Sequence, residues 1–386
     1  MAVSVGPQRV PLRSPLRAAD VEGLAAPAFS GWDQQIVAEG QIRSEFGADA
    51  RLLGWLMRLR SERGFSFRIP GFAPHSDDDV WADTPRALLT ESLSGVIASR
   101  LASQVLDASD RDVSARVMAL QKAVIGKTNV LGNTHNVSYL IDDNFEGLGR
   151  AEFIDPEDED FSSRLADTLD WELKRRELVG RDATSQPSSQ QLLQVRRFLT
   201  EALENTQRHA TRDLAKRRVG GVRFLAVRRH FIREIQTTMA PKESGHQSLS
   251  HYLTRAREQF GDVAMVEFTV ADSGIGISAH HRKDLAIYSG SIEEEFAALQ
   301  SAFGLPEANM GWEGLGLPKI QDSCRDLRAF LMVRTGRILA TQHQLDTSSN
   351  SSDLVPLTRE TRPLPFLAGT SITIVVPWVD LHESLF

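Results

Sequence analysis

The sequence predicts an α+β protein in two parts: a mixed, helix-rich α/β N-terminal domain followed by a C-terminal two-layer α/β sandwich. The segment from Gly180 to Gln190 is rich in Gly, Pro, Ser and Thr and carries no apolar period, as is typical of linkers. Helical apolar spacing dominates before this segment, whereas one long helix and alternating strands and helices follow it. We therefore predict domains at residues 21–180 and 186–386.

Length and composition limit the class of protein. At 386 residues, with 41% hydrophobic and 25% charged residues, the chain resembles an ordinary globular protein of two domains. Its single cysteine, Cys324, excludes an internal disulfide framework and favours a reducing, cytoplasmic setting. No apolar run approaches the roughly 18 residues of a membrane span, so no membrane partner is expected. Residues 1–20, with arginines but no acid before Asp20, are predicted to be a flexible tail.

The N-terminal half is predicted from its apolar spacing alone. The pattern indicates a helix at Leu52–Arg60, a strand at Phe65–Ile69, and helical segments at Pro85–Leu106 and Ser114–Ile125. This half contains no motif that indicates a particular chemical function. We therefore assign residues 21–180 only as a regulatory or partner-binding domain.

The C-terminal half has clearer elements. Helices are predicted at Leu192–Leu214 and Leu317–Leu327, and strands at Val222–Val227, Val263–Ala271, Ala329–Arg334 and Thr370–Val376. In the second of these strands, apolar residues point one way while Glu267 and Thr269 point the other. This alternation predicts a sheet with one covered face and one wetter face, hence two layers.

The helix Leu192–Leu214 has a polar face with a distinctive composition. At about 100° per residue, Glu201, Asn205, Arg208 and Arg212 fall within roughly a 60° arc opposite the apolar face. An Asn oxygen suits a hard cation, Arg suits phosphate and Glu can order a water. The same spacing also occurs on ordinary solvated helix faces.

Three glycine-containing motifs follow this helix. Asp272–Gly276, which reads Asp-Ser-Gly-Ile-Gly, comes directly after a strand, where a carboxylate could accept a hydrogen bond from an exocyclic amine. Gly314–Leu317 precedes a helix beginning near Pro318, so its amides could face phosphate. Gly369 and Thr370 open the last strand. A plain turn is the alternative interpretation of the first motif.

Taken together, these motifs resemble the GHKL superfamily, which includes gyrase-type ATPases, heat-shock chaperones, mismatch-repair ATPases and histidine kinases. The run Glu201–Asn205 resembles the N box, Asp272–Gly276 the first glycine box, Gly314–Leu317 the second, and Gly369-Thr370 the motif of the last strand. Order and spacing also match over roughly residues 186–380. The resemblance implies a Bergerat-type ATP-binding fold with ATP and Mg²⁺ as cofactors.

The resemblance assigns residues to the adenine side of such a site. Asp272 would accept the adenine amine, and Thr370 would support the base through its hydroxyl. Gly274 and Gly276 would form the turn that contacts the nucleotide. The segment Ser278–Glu313 would be a flexible ATP lid with a hinge at residues 289–291.

It also assigns residues to the phosphate side. Asn205 would ligate magnesium, Arg208 would contact phosphate, and Glu201 would be the general base that orients water. The phosphate-side end of the lid would be Gly314, Gly316 and Leu317. Many relatives use a lysine from a following domain on the γ-phosphate, and here we expect that lysine to come from elsewhere or to be dispensed with.

Several functions remain open at this point. We favour a Mg-dependent ATPase whose nucleotide state controls conformation or assembly, with a protein partner or a homodimer. A serine kinase of the anti-sigma type, a histidine kinase and a non-hydrolysing ATP switch are the alternatives. His135, the last histidine before this domain, lacks the sequence context of a phosphoacceptor.

The charge distribution suggests one further kind of partner. Net charge is −7, yet residues 195–260 contain fourteen Lys and Arg against six Asp and Glu. Such a segment could meet nucleic acid or an acidic partner, or it could be a solvated face balanced by acidic runs elsewhere. It includes an insertion at about residues 216–262 whose role the sequence does not indicate.

Overall fold

The fold is described from a computed structural model. It describes residues 8–25, 34–38, 42, 44, 46–69, 82–125, 130–132, 136–142, 167, 187–217, 221–231, 247–304, 316–345, 357–359 and 364–379. Helices combine with one parallel and one antiparallel sheet in these residues, which confirms the α+β class. No helix of this part of the chain is both long enough and apolar enough to cross a membrane.

A four-stranded parallel sheet, in the order β1-β2-β3-β4, forms the first part of the fold. Its strands are β1 (Gln8–Leu12), β2 (Gln34–Ala38), β3 (Ser66–Arg68) and β4 (Gln104–Leu106). Its helices are α1 (Ala18–Leu24), α2 (Ala48–Glu62), α3 (Asp83–Thr90), α4 (Leu93–Leu101) and α5 (Ser114–Val124). The predicted segment 85–106 is thus two helices and a strand, because Ser92 accepts a hydrogen bond from the Gly95 amide and caps a new helix.

The predicted flexible tail is wrong for its described residues. Strand β1 pairs in parallel with β2, and the side chains of Val10, Leu12 and Leu16 are buried in the core. Burial of these three apolar side chains provides hydrophobic free energy that favours an ordered segment. The N-terminal residues from Gln8 onward therefore belong to the first sheet.

An eight-stranded antiparallel sheet, in the order β11-β10-β9-β12-β8-β7-β6-β5, forms the second part. Its strands are β5 (Val130–Gly132), β6 (Asn136–Asp142), β7 (Val222–Phe231), β8 (Ala264–Asp272), β9 (Phe330–Gly336), β10 (Ile338–His343), β11 (Thr358–Arg359) and β12 (Leu367–Pro377). Its helices are α6 (Ser189–Asn205), α7 (Gln247–Phe260), α8 (Ile277–Arg282), α9 (Ile292–Phe303) and α10 (Gly316–Asp326). The four predicted strands and both predicted helices of this half are confirmed, with shifted ends.

The division of the chain near residue 180 does not hold for this sheet. Strands β5 and β6 come from the first 142 residues, and β6 pairs with β7 over its whole length, from Asn136 opposite Arg228 to Asp142 opposite Val222. One hydrophobic cluster joins the helices of the first part to Phe224 and Leu367 of the large sheet. The two parts consequently share a core.

The prediction of two layers with one wetter face is also wrong. Helices α6, α9 and α10 cover one face of the sheet, and the apolar side chains of β8 pack against them. On the opposite face, Tyr252 of α7 donates hydrogen bonds to the carbonyls of Arg328 and Val375, and α2 packs on β12 and β8. Glu267 and Thr269 are fully buried under this third layer.

The basic insertion is therefore partly structural. Strand β7 and helix α7 both lie within residues 216–262. Arg228 is buried, while Arg217 pairs with Asp213 at 2.8 Å and Arg257 with Asp262 at 2.9 Å. Part of the local excess of positive charge is thus neutralised within the fold.

Candidate functional site

Helix α6 delivers the predicted polar residues and then changes its winding. It begins at Ser189, after the N-cap residue Ser188, whose side chain accepts a hydrogen bond from the Gln191 amide. Its α-helical part ends at Asn205. A π-helical turn, Thr206–Ala210, follows directly. Such turns are rare and often lie at functional sites, and they shift the angular position of every later residue.

This shift changes the angles between the residues of the predicted polar arc. Arg208 pairs with Glu204 at 3.0 Å, and its side chain is 63% exposed. The 100° spacing that placed Arg208 and Arg212 beside Asn205 does not apply across the π turn. A contact between Arg208 and phosphate stays a prediction that would require this ion pair to break.

Glu201 and Asn205 lie against the start of α10. A Cβ atom added to Gly316 would lie 3.1 Å from both side-chain Nδ2 and Oδ1 of Asn205 and 3.2 Å from Glu201 Oε2. Glycine is therefore the residue that lets the α10 backbone approach these two side chains closely. Asn205 Nδ2 is buried and has no hydrogen-bond partner among the described residues.

Lys319, which the motif analysis did not select, completes this cluster. Its Nζ donates to Glu201 Oε1 at 2.5 Å, with 39% of the lysine side chain and 16% of the glutamate side chain exposed. The available signal was its place one helical turn after Gly316. Leu317 packs against the apolar core beneath α6 and α10, and Gly314 lies outside the described residues.

A second cluster lies at the end of β8. Asp272 is buried, pairs in register with Thr370 of β12, and accepts a hydrogen bond from the Gly274 amide at 2.8 Å. Burial raises the pKa of Asp272 to about 6, although the Gly274 and Thr370 amides and the Arg223 charge oppose that rise. Gly369 has φ +83°, and a Cβ atom there would overlap the carbonyl oxygen of Asp272.

The first glycine motif contacts both the end of the π turn and the strands beside Asp272. A Cβ atom on Gly274 would lie 2.6 Å from Ala210 Cα, at the end of the π turn. Gly276 has φ +85° and lies under Thr335, whose hydroxyl accepts from the Ile277 amide at 3.0 Å. The Thr335 hydroxyl is also 3.4 Å from that of Thr370, so this residue, absent from the predicted set, links the glycine turn to the last strand.

The described part of the predicted lid is packed. Leu299 and Phe303 of α9 belong to the apolar core, and Ser291, in the predicted hinge, caps α9 with a capping box to Glu294. Buried Glu295 accepts from the amide and guanidinium of Arg337, each at 2.7 Å. Residues 278–304 are therefore packed in this structure, and movement of this segment with nucleotide stays a prediction; residues 305–313 lie outside the described part.

One histidine of the π turn, His209, packs against His280 of α8. The rings of His209 and His280 are 4.0 Å apart between centroids. Burial and the neighbouring charges of His280, Arg208 and Arg212 lower the pKa of His209 to about 4. His209 is therefore neutral at physiological pH and adds no charge to this edge of the site.

Comparison of the whole sequence with protein-family models gave no match, and comparison with curated proteins gave none either. The assignment of a function therefore depends on the geometry of the two clusters.

Proposed function

We propose that this protein binds ATP with Mg²⁺ between the cluster at Asn205 and the cluster at Asp272, and hydrolyses it. The observation that carries the proposal is Asp272, a buried carboxylate at the end of β8 with a glycine turn and Thr370 beside it. Burying a carboxylate is costly unless it is used or paired, and its raised pKa marks it as a functional candidate. The arrangement of α6 and α10 on one face of the antiparallel sheet is compatible with a Bergerat-type fold.

Each side chain has a role in this proposal. Asp272 accepts the adenine amine with Thr370 beside it, and Gly274 and Gly276 let the backbone approach the base. Glu201 orients the attacking water. The start of α10 at Gly316 faces the phosphates, because helix N-termini favour anions.

Magnesium fits the Asn205 cluster. No group of three or more His, Cys, Asp or Glu side chains that could hold a metal occurs within the described residues. Mg²⁺ commonly takes one or two protein oxygens and completes its shell with phosphate and water. Asn205, with Glu201 nearby, would supply such a contact, and the ion would neutralise phosphate charge.

The contacts of α1 and α2 support a switch in which the N-terminal part reads the nucleotide. Arg334, next to Thr335, donates to Glu22 of α1 at 2.7 and 3.0 Å. A Cβ atom on Gly54 of α2 would lie 2.7 Å from the Ala368 carbonyl, next to Gly369. A shift of Thr335 or Thr370 would therefore move both helices. Their movement would in turn reach a protein partner or a second copy of the chain.

One observation favours a second candidate, a switch that binds ATP without turnover. Glu201 is engaged by Lys319, so its Oε1 atom is not free to accept a proton from water in this state. Phosphotransfer to serine or histidine of a protein remains a further alternative. His135, the last histidine before this domain, lies outside the described residues.

Incubation with γ-labelled ATP and magnesium separates these functions. An ATPase releases labelled phosphate, a kinase leaves label on protein, and a switch retains bound ATP. Absence of any nucleotide binding by calorimetry would reject the proposed function as a whole.

The substitution Asp272→Asn tests the adenine contact. We expect ATP and ADP to lose affinity alike, by about 1.5–3 kcal/mol, because the carboxylate acts on the base and not on the phosphates. Calorimetry with both nucleotides measures this loss, and Asp322→Asn on α10 is a control at a carboxylate paired with Arg325. Unchanged ADP affinity in the Asp272 variant would remove this residue from the site.

The pKa of Asp272 predicts a pH dependence of binding. Because the ionised carboxylate accepts the amine proton, ADP affinity should fall as pH drops through about 6. Between pH 8 and pH 5 we expect roughly a tenfold rise in Kd, and a flat profile in Asp272→Asn. The same slope in both proteins would assign the titration to another group.

A further inference from the structure

The ion pair between Lys319 and Glu201 links two residues that would act at different stages of a reaction with ATP. The lysine is one helical turn into α10, on the end that faces Asn205. The glutamate is the only acidic side chain of the described residues that both contacts this lysine and lies against Gly316. Whatever occupies the space beside Gly316 therefore meets a cation and a carboxylate that are already paired with each other.

This pair can be broken at low cost. An ion pair with 39% of one side chain exposed is screened by water, and such pairs contribute little to stability. Lysine carries its charge on a flexible four-carbon stem and can re-aim it without movement of the backbone. A phosphate group, with greater charge than one carboxylate, would compete for it effectively.

Two other described cations near the site are differently engaged. Arg208 pairs with Glu204, and Arg223 donates to Gln207 on the π turn. Of these three cations, only Lys319 forms an ion pair with a residue of the Asn205 cluster. It is therefore the cation best placed to respond to an anion beside Gly316.

We propose that Lys319 is the triphosphate sensor of this site: it holds Glu201 inactive without ATP and moves to the terminal phosphate when ATP binds. This inference rests on the proposed function and adds a regulatory step to it. Release of Lys319 frees Glu201 Oε1 to accept a proton from water. The water oxygen then bonds to the γ-phosphorus, and the bond from that phosphorus to the β-bridging oxygen breaks, giving ADP and inorganic phosphate.

The inference predicts a loss that depends on the γ-phosphate. In Lys319→Met, affinity for a non-hydrolysable ATP analogue should fall roughly 10- to 100-fold, the range of a charge-assisted hydrogen bond, while ADP affinity changes less than about twofold. Lys319→Arg should retain most of the analogue affinity. Glu201→Gln should tighten the analogue and leave ADP unchanged, because the competing carboxylate is gone.

Calorimetry on the full chain with Mg²⁺, the analogue and ADP measures all of these affinities. Arg197→Met is the matched control, because Arg197 also bridges α6 to α10, at 3.9 Å from Asp322. Thermal unfolding of each variant checks that the fold is intact, and Lys319→Gln provides a second neutral variant. An equal loss of both nucleotides in Lys319→Met, no loss of either, or the same loss in Arg197→Met would overturn the sensor. Failure of the wild-type chain to bind either nucleotide would instead overturn the proposed function.

Discussion

Replacing Arg228 with methionine is expected to lower the free energy of unfolding by about 3–5 kcal/mol, the cost of breaking a buried charge cluster on one side. Arg228 pairs with Asp49 of α2 and, at 3.3 Å, with Glu267 of β8. All three side chains are at most 6% exposed. Methionine fills similar space but leaves two buried carboxylates without their cation.

The pKa of Glu267 determines how this loss of unfolding free energy depends on pH. Burial alone would raise its pKa, but Arg228 and His230 hold it at about 2. A depressed carboxyl pKa stabilises the fold above the unfolded value of 4.5, and this stability is lost as pH falls toward 2. In Arg228→Met, Glu267 can take up a proton at higher pH, so the deficit relative to wild type should be smaller at pH 4.5 than at pH 7.

Urea unfolding at the two pH values measures both effects. Arg217→Met is the control, because Arg217 is 79% exposed and pairs with Asp213 on the surface, and we expect it to change stability by less than about 1 kcal/mol. Similar losses in the two variants would mean that the Arg228 cluster is solvated in solution.

The same cluster explains why the sequence predicted the wrong number of layers. Alternation along β8 correctly separated Val266 and Phe268 from Glu267 and Thr269, because that pattern is local. A polar face of a sheet is usually exposed to solvent. Here the face is buried because the Gly47 amide, Thr269 hydroxyl and His230 ring all donate to Glu267, partners that lie up to 220 residues away.

Long-range strand pairing caused the other differences. The helix and strands after residue 186 follow from their own periodicities, and the structure contains them. Nothing local in Val130–Gly132 or Asn136–Asp142 indicates that these strands extend a sheet whose next strand begins at Val222. The same holds for Gln8–Leu12, which is ordered by its neighbour β2.

Within the candidate site, the structure brings residues of different motifs together where a glycine allows a close backbone approach. Gly316 does lie against Asn205, and Gly369 does lie against Asp272. Lys319 and Thr335 could not be selected in this way, because a lysine in a helix and a threonine in a strand are common. The π turn that moves Arg208 away also has no signature in the spacing of residues.

Replacing Glu201 with glutamine is expected to lower turnover by about 10²–10⁴-fold, the usual contribution of a positioned general base. Glutamine keeps the size of the side chain against Gly316 but cannot take a proton from water. Binding of Mg·ADP should stay within about twofold, whereas Asn205→Ala should remove the magnesium-dependent part of binding. Glu201 would thus act in the chemical step, and Asn205, one helical turn later, would act in binding.

Single-turnover release of labelled phosphate, together with calorimetry, distinguishes the two losses. Asp322→Asn serves as the control, because this carboxylate also lies between α6 and α10 but pairs with Arg197 and Arg325 away from Gly316. Equal loss of ADP binding in the Glu201 and Asn205 variants would make Glu201 a structural residue. Full turnover in Glu201→Gln would show that another group orders the water, and Lys319 would then have no base to restrain.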